Sequence, residues 1–174
     1  MSQQTTGIAL VAYFVRPENR LNETQKERNP YDHDHDGKQS TRALQLAMKD
    51  ARINEEEVEY INFHGTSTVI NDKIETLAVK GALNGYAMKV PVSSTKSMVG
   101  HPQGASGALG AVVTALSLRD GVLSPTINIE NPDPDCDMDY IANESRDQTV
   151  QVAISNCISF GSKNSALVLK KFDL

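Results

Sequence analysis

The chain has 174 residues, and 17 Lys and Arg against 22 Asp and Glu give a net charge of −5, so a polyanionic nucleic-acid partner is disfavoured. Its 39% hydrophobic content suits one globular domain able to bury about two-thirds of its unfolded surface. No apolar run approaches the ~18 residues of a membrane span, the start MSQQTTG lacks an export signal, and Cys136 and Cys157 alone build neither a disulfide framework nor a CxxC zinc site. A soluble, cytoplasmic protein in a reducing compartment is the expectation.

Residues Gly7–Val15 (GIALVAYFV) are an apolar run rich in strand formers. From Arg16 to Gln39 the sequence is charged, carries two prolines and has almost no periodic hydrophobe, which predicts an exposed loop or linker. Within it, Asp32, Asp34, Asp36 and Gly37 match the start of an EF-hand loop, but the twelfth position is Ala43 where a bidentate glutamate is required. A solvated loop is the better reading, and no metal site is assigned, His33 and His35 included.

Ser40 can cap a helix to about Arg52, with Leu44, Ala47, Met48 and Ala51 on one face. Val58–Phe63 (VEYINF) predicts a strand ending at His64-Gly65. A helix from about Asp72 to Leu83 follows, with Ile74, Leu77 and Ala78 facing inward. Val90–Ser94 reads as a short strand, Lys96–Pro102 as a turn, and Gln103–Arg119 as a long helix. That helix is apolar nearly all round, and Gly104, Gly107 and Gly110 recur every third residue, which predicts a central element packed closely on both sides. Pro125, Pro132 and Pro134 mark an extended stretch. Val150–Ile158 and Ser165–Phe172 are the last strands, joined tightly through Ser159–Asn164. Alternation of strands and helices with a final strand pair gives an α/β class around a mostly buried mixed sheet.

In such folds chemistry collects where strands end. His64 follows one strand in HGTST, and His101 follows another in STKSMVGH. Imidazole Nε2–H groups aimed at one carbonyl oxygen stabilise negative charge developing there. Lys96 stands five residues before His101, and Glu75 eleven after His64, so an acid and a base accompany the pair.

The runs HGTST with Asn71, Asp72 and Glu75, then SSTKSMVGHPQGASGALG, then SPTINIENPDPDCDMDY, resemble the C-terminal half of a β-ketoacyl-acyl-carrier-protein synthase of the two-histidine type, nearest to synthase II. The likeness covers about Thr41–Leu174. It implies a thiolase-like half-domain over 41–174, a strand at 1–15 like the end of the family's N-terminal half, and a linker at 16–40. It further implies a decarboxylative Claisen condensation without cofactor. His64 and His101 would stabilise the enolate, Lys96 and Glu75 would form a supporting charged pair, Thr66 and Thr68 would bind substrate, and Phe160 would be the gating aromatic.

Implied partners are acyl carrier protein charged with acyl or malonyl groups, and either a cysteine-bearing N-terminal-half subunit or further copies of the chain. In the family the nucleophilic cysteine belongs to that other half. Cys157 lies in a strand and Cys136 in a loop, both outside the nucleophile's motif, so no nucleophile is expected here. Around Phe160 the family's glycine-rich run is altered to ISFGSKN, with Ser159, Ser162 and Lys163 in place of smaller or uncharged residues. Three functions fit: half of a split synthase, a non-catalytic partner that binds carrier or synthase, and a stand-alone malonyl-carrier decarboxylase.

Overall fold

The computed structural model describes residues 6–14, 36–159 and 163–173. In chain order the elements are β1 (Thr6–Phe14), α1 (Lys38–Ala51), β2 (Tyr60–Asn62), α2 (Asn71–Leu83), β3 (Val92–Ser93), α3 (Lys96–Val99), α4 (Ser106–Asp120), β4 (Val122–Leu123), β5 (Arg146–Asp147), β6 (Val152–Cys157) and β7 (Ser165–Asp173). Short 3-10 turns lie at 55–57, 84–89 and 103–105. No described helix is long and apolar enough to cross a membrane.

Five strands form one mixed sheet in the order β1-β7-β6-β2-β3. β7 runs antiparallel to β1 and β6, whereas β6, β2 and β3 run parallel to one another. The three parallel strands therefore end together, and the loops leaving β2 and β3 carry His64 and Lys96. β4 and β5 form a separate two-stranded ribbon.

Strand side chains alternate between faces, so neighbouring residues feed different layers. Ile61, Val92, Ile154 and Val168 pack beneath Leu44, Ala47 and Met48 of α1 and Val79, Ala82 and Leu83 of α2. On the opposite face Tyr60, Ala153 and Leu169 meet Leu118 of α4, with Leu123, Ile141 and Val150. Burying each large aliphatic side chain contributes about 1.5–3 kcal/mol before chain entropy is counted.

α1 begins at Gly37 rather than being capped by Ser40, which is buried inside the helix. Gly37 has φ +67°, and a Cβ there would meet the Ile74 carbonyl oxygen at 3.1 Å, so α1 enters pressed against α2. The expected strands at β2 and β3 are shorter than the apolar runs implied, and the expected turn after Lys96 contains one helical turn, α3. Leu77, expected inside, is 54% exposed.

The long glycine helix departs most from expectation. A 3-10 turn precedes α4, and the residues that α4 buries are Ser106, Thr114, Ser117 and Leu118. Val112 and Leu116 are exposed, and Gly104 and Gly107 face open space. Only Gly110 is at a close approach, where an added methyl would sit 2.8 Å from Ser155 Oγ. The helix thus packs through small polar residues and Leu118 and leaves Val112 and Leu116 open.

The stretch after β4 is extended and strapped across α2. Lys73 holds Asp133 and Asp135 at 3.3 and 2.7 Å, Lys80 pairs with Asp137, and Arg146 clasps Asp139 through two nitrogens at 2.6 and 2.8 Å. Such half-exposed pairs fix position more than they add stability.

Candidate active site

His64 follows the end of β2, and its ring is buried at 6% exposure. Gly65 turns the chain at φ +39°, where a Cβ would lie 2.4 Å from Ser94 Cβ. Only glycine lets this loop lie so close to the end of β3, and the Ser94 hydroxyl closes the gap by donating to the Gly65 carbonyl at 2.8 Å. The loops bearing His64 and Lys96 are thereby drawn together.

The His64 and His101 rings meet edge to face with centroids 5.4 Å apart. Burial, reinforced by the positive charge of Lys96 and by electrostatic coupling to His101, pulls the His64 pKa down to about 3, so this ring is neutral at physiological pH. His64 Nδ1 has no hydrogen-bond partner among the described residues.

His101 is exposed at the site's rim. Its Nδ1 accepts the Gln103 main-chain N–H at 3.1 Å and lies 2.9 Å from Ser106 Oγ. An acceptor at Nδ1 places the proton of the neutral ring on Nε2. Gln103 adopts φ 46°, a left-handed conformation uncommon outside glycine, to deliver that N–H.

Glu75 is fully buried on α2. Its carboxylate accepts the main-chain N–H groups of His64 at 2.7 Å and Gly65 at 2.8 Å, and the Asn156 side-chain amide at 2.7 Å. Asn71 approaches at 3.4 Å. Burial nevertheless lifts its pKa to about 7, the hydrogen bonds opposing the rise and the Asp72 charge adding to it. The expected Lys96–Glu75 charged pair does not close as a salt bridge among the described residues. The lysine feels the carboxylate at longer range, with desolvation lowering the Lys96 pKa and Glu75 raising it. Glu75 grips the backbone under His64 instead.

Thr66 and Thr68 share a hydroxyl contact at 3.2 Å, and Thr68 Oγ1 also accepts the Asn71 N–H at the start of α2. Phe160 lies outside the described residues, as do His33 and His35. Burial dominates at Cys157 and raises the thiol's pKa, although the nearby Lys96 charge opposes the rise. Burial likewise raises Cys136, and neither thiol has the depressed pKa of an activated nucleophile.

Two site residues were given no role from the sequence: Asn71, named only within the run that carries the resemblance, and Asn156. The available signal for the second was an asparagine within VAISNC, a strand otherwise expected to be buried.

Residues 21–130 match the family model for the C-terminal domain of β-ketoacyl synthases. The chain belongs to that family. It is 50% identical over 137 residues to 3-oxoacyl-[acyl-carrier-protein] synthase 2 of Synechocystis, which covers 79% of this chain and 33% of the relative. Synthase 2 of Staphylococcus aureus is 45% identical over 138 residues, again 79% of this chain and 33% of the relative. Among solved structures, a type II polyketide acyl-carrier protein in complex with its ketosynthase bound to the hexaketide superposes with TM-score 0.79 at 34% identity, over 94% of this chain and 37% of that one. The mixed sheet and its helices are thus a thiolase-like ketosynthase fold, and this chain spans about a third of the length of the relatives it matches.

Proposed function

We propose that this chain supplies the malonyl-decarboxylation site of a β-ketoacyl-acyl-carrier-protein synthase, with the nucleophilic cysteine contributed by a separate N-terminal-half polypeptide. The observation that carries the reading is the histidine pair: two rings 5.4 Å apart, one neutral through burial and the other with its proton directed to Nε2. When a malonyl thioester loses carbon dioxide, the electron pair of the breaking C–C bond passes into an enolate whose oxygen becomes negative. Neutral N–H donors fixed beside that oxygen before the reaction stabilise it without reorganisation. The enolate carbon then attacks an acyl thioester held on the partner's cysteine, and the cysteine leaves as thiolate.

His64, with Nδ1 unpartnered, and His101 are the enolate donors, Lys96 supplies a nearby positive charge, and Thr66 and Thr68 border the substrate's approach. Phe160 gates the acyl pocket. The raised pKa of both cysteines supports placing the nucleophile outside these residues. The exposed apolar side of α4 supports a partner seated there. The carrier protein bound to the ketosynthase relative supports carrier-borne substrates.

The raised thiol pKa values also favour a second reading, a partner that binds carrier or synthase without turnover. Condensation of acyl- and malonyl-carrier protein by the reconstituted assembly separates the two. His64→Ala and His101→Ala are each expected to lower the rate by roughly 100-fold or more, the usual cost of removing one oxyanion donor, while assembly persists. Unchanged rates in both variants would remove the catalytic assignment.

A further inference from the structure

Glu75 joins three segments: α2, on which it lies, the loop that begins with His64, and β6. One carboxylate oxygen, Oε1, receives both the His64 main-chain N–H and the Asn156 Nδ2–H, each at 2.7 Å. Asn156 is 4% exposed, and its Oδ1 has no partner among the described residues. Leaving a buried amide oxygen unsatisfied is destabilising, so stability alone does not call for asparagine at this place in β6. Among the described residues the side chain's one hydrogen bond points at the atom that fixes the His64 backbone.

We propose that Asn156 is a positioning residue that, through Glu75 Oε1, sets the main chain from which the His64 imidazole projects. What that imidazole does rests on the function proposed above; the positioning itself does not. Asn156 and its strand neighbour Ser155 face opposite layers, one toward Glu75 on α2 and the other toward Gly110 on α4, so β6 aligns both sides of the site. Removing the amide leaves the ionised carboxylate with one donor fewer in a fully buried setting, and it relaxes toward protonation or away from the His64 N–H.

The titratable groups around Glu75 are Asp72 on its own helix, Lys96 beyond β3, His64, Cys157 on β6 and Tyr140 on the strap. Amide NMR of the isotope-labelled chain follows the His64 and Gly65 N–H signals against pH. Both are expected to titrate with the carboxylate they donate to, and Asn156→Ala is expected to raise that midpoint by about one pH unit and move the His64 signal. Asn156→Asp keeps the shape and is expected to raise the midpoint further, which preserves the test should the alanine variant fold poorly. The Leu44 and Ile61 signals report whether the core is intact.

A merely structural asparagine would lower global stability and leave the midpoint in place; unmoved His64 and Gly65 signals in both variants overturn the proposal. In the reconstituted assembly, Asn156→Ala is expected to lower kcat roughly 10- to 100-fold with little change in KM, the effect of misplacing a catalytic group. Shifted amide signals support the positioning whatever the turnover. Unaffected turnover in that case counts against the role proposed for the His64 ring.

Discussion

On one face of the sheet α1 and α2 turn Leu44, Met48, Val79 and Leu83 inward, whereas on the other α4 turns Ser106, Thr114, Ser117 and Leu118 inward and leaves Val112 and Leu116 in solvent. The first face is finished within the chain. The second has a helix whose apolar side has no counterpart among the described residues, and the site's exposed histidine, His101, lies on the approach to that helix. The difference teaches that both faces hold a core but only the first covers its helices' apolar sides from within the chain, whereas the second leaves apolar side chains of α4 for the partner proposed above.

The largest effect expected on stability lies on the finished face. Leu44→Ala removes a side chain 1% exposed and should cost about 2–5 kcal/mol in denaturant unfolding. By contrast, the double substitution Val112→Glu with Leu116→Glu should leave the chain's own unfolding free energy within about 0.5 kcal/mol, as at ordinary surface positions, yet abolish binding to a cysteine-bearing synthase half. A large stability loss in the double variant would break the comparison.

The pH dependence sharpens it at the site. Glu75 has a pKa of about 7 in the fold against an ordinary 4.5, so its contribution is full below pH 4.5 and is lost as pH rises through 7. His64 has a pKa of about 3 in the fold against 6.5, so its contribution is full above 6.5 and is lost as pH falls through 3. The two slopes oppose each other between the two ordinary values. Urea titrations across pH should therefore show that Glu75→Gln exposes a rise in stability up to about pH 6.5, while His64→Ala exposes a fall from about pH 4.5 to 7. Parallel profiles for the wild type and both variants would refute these environments.

The smallest effect belongs to the open side of α4. Gly107 has nothing within 4 Å of an added Cβ, so Gly107→Ala should stabilise the isolated chain by about 0.5–1 kcal/mol through helix propensity, read from thermal unfolding. A loss of stability would show that this side is already packed.

Much of the architecture was legible because burial and periodicity coincide there. The faces of α1, the run VEYINF and the two C-terminal strands all place apolar residues toward the core. α4 was read as packed on both sides because its composition is apolar all round, and composition does not reveal that the sheet takes up the small polar residues. Leu77 misled for the same reason on a smaller scale. β4 and β5, two residues each, are too short to leave a pattern.

In the site, His64, Lys96 and His101 were legible from their places after strands. The hold of Glu75 on the His64 backbone was not, since a side chain bonding to main-chain groups ten and eleven residues away leaves no mark on residue type or spacing. Asn156 was hidden by distance, 81 residues from the carboxylate it serves.

The most direct test of the split-synthase reading is the native mass of the chain co-expressed with its untagged genomic neighbours. A stoichiometric complex with a cysteine-containing subunit of similar size is expected, and it should condense acyl- and malonyl-carrier protein. A folded homo-oligomer that captures no such subunit would contradict the reading.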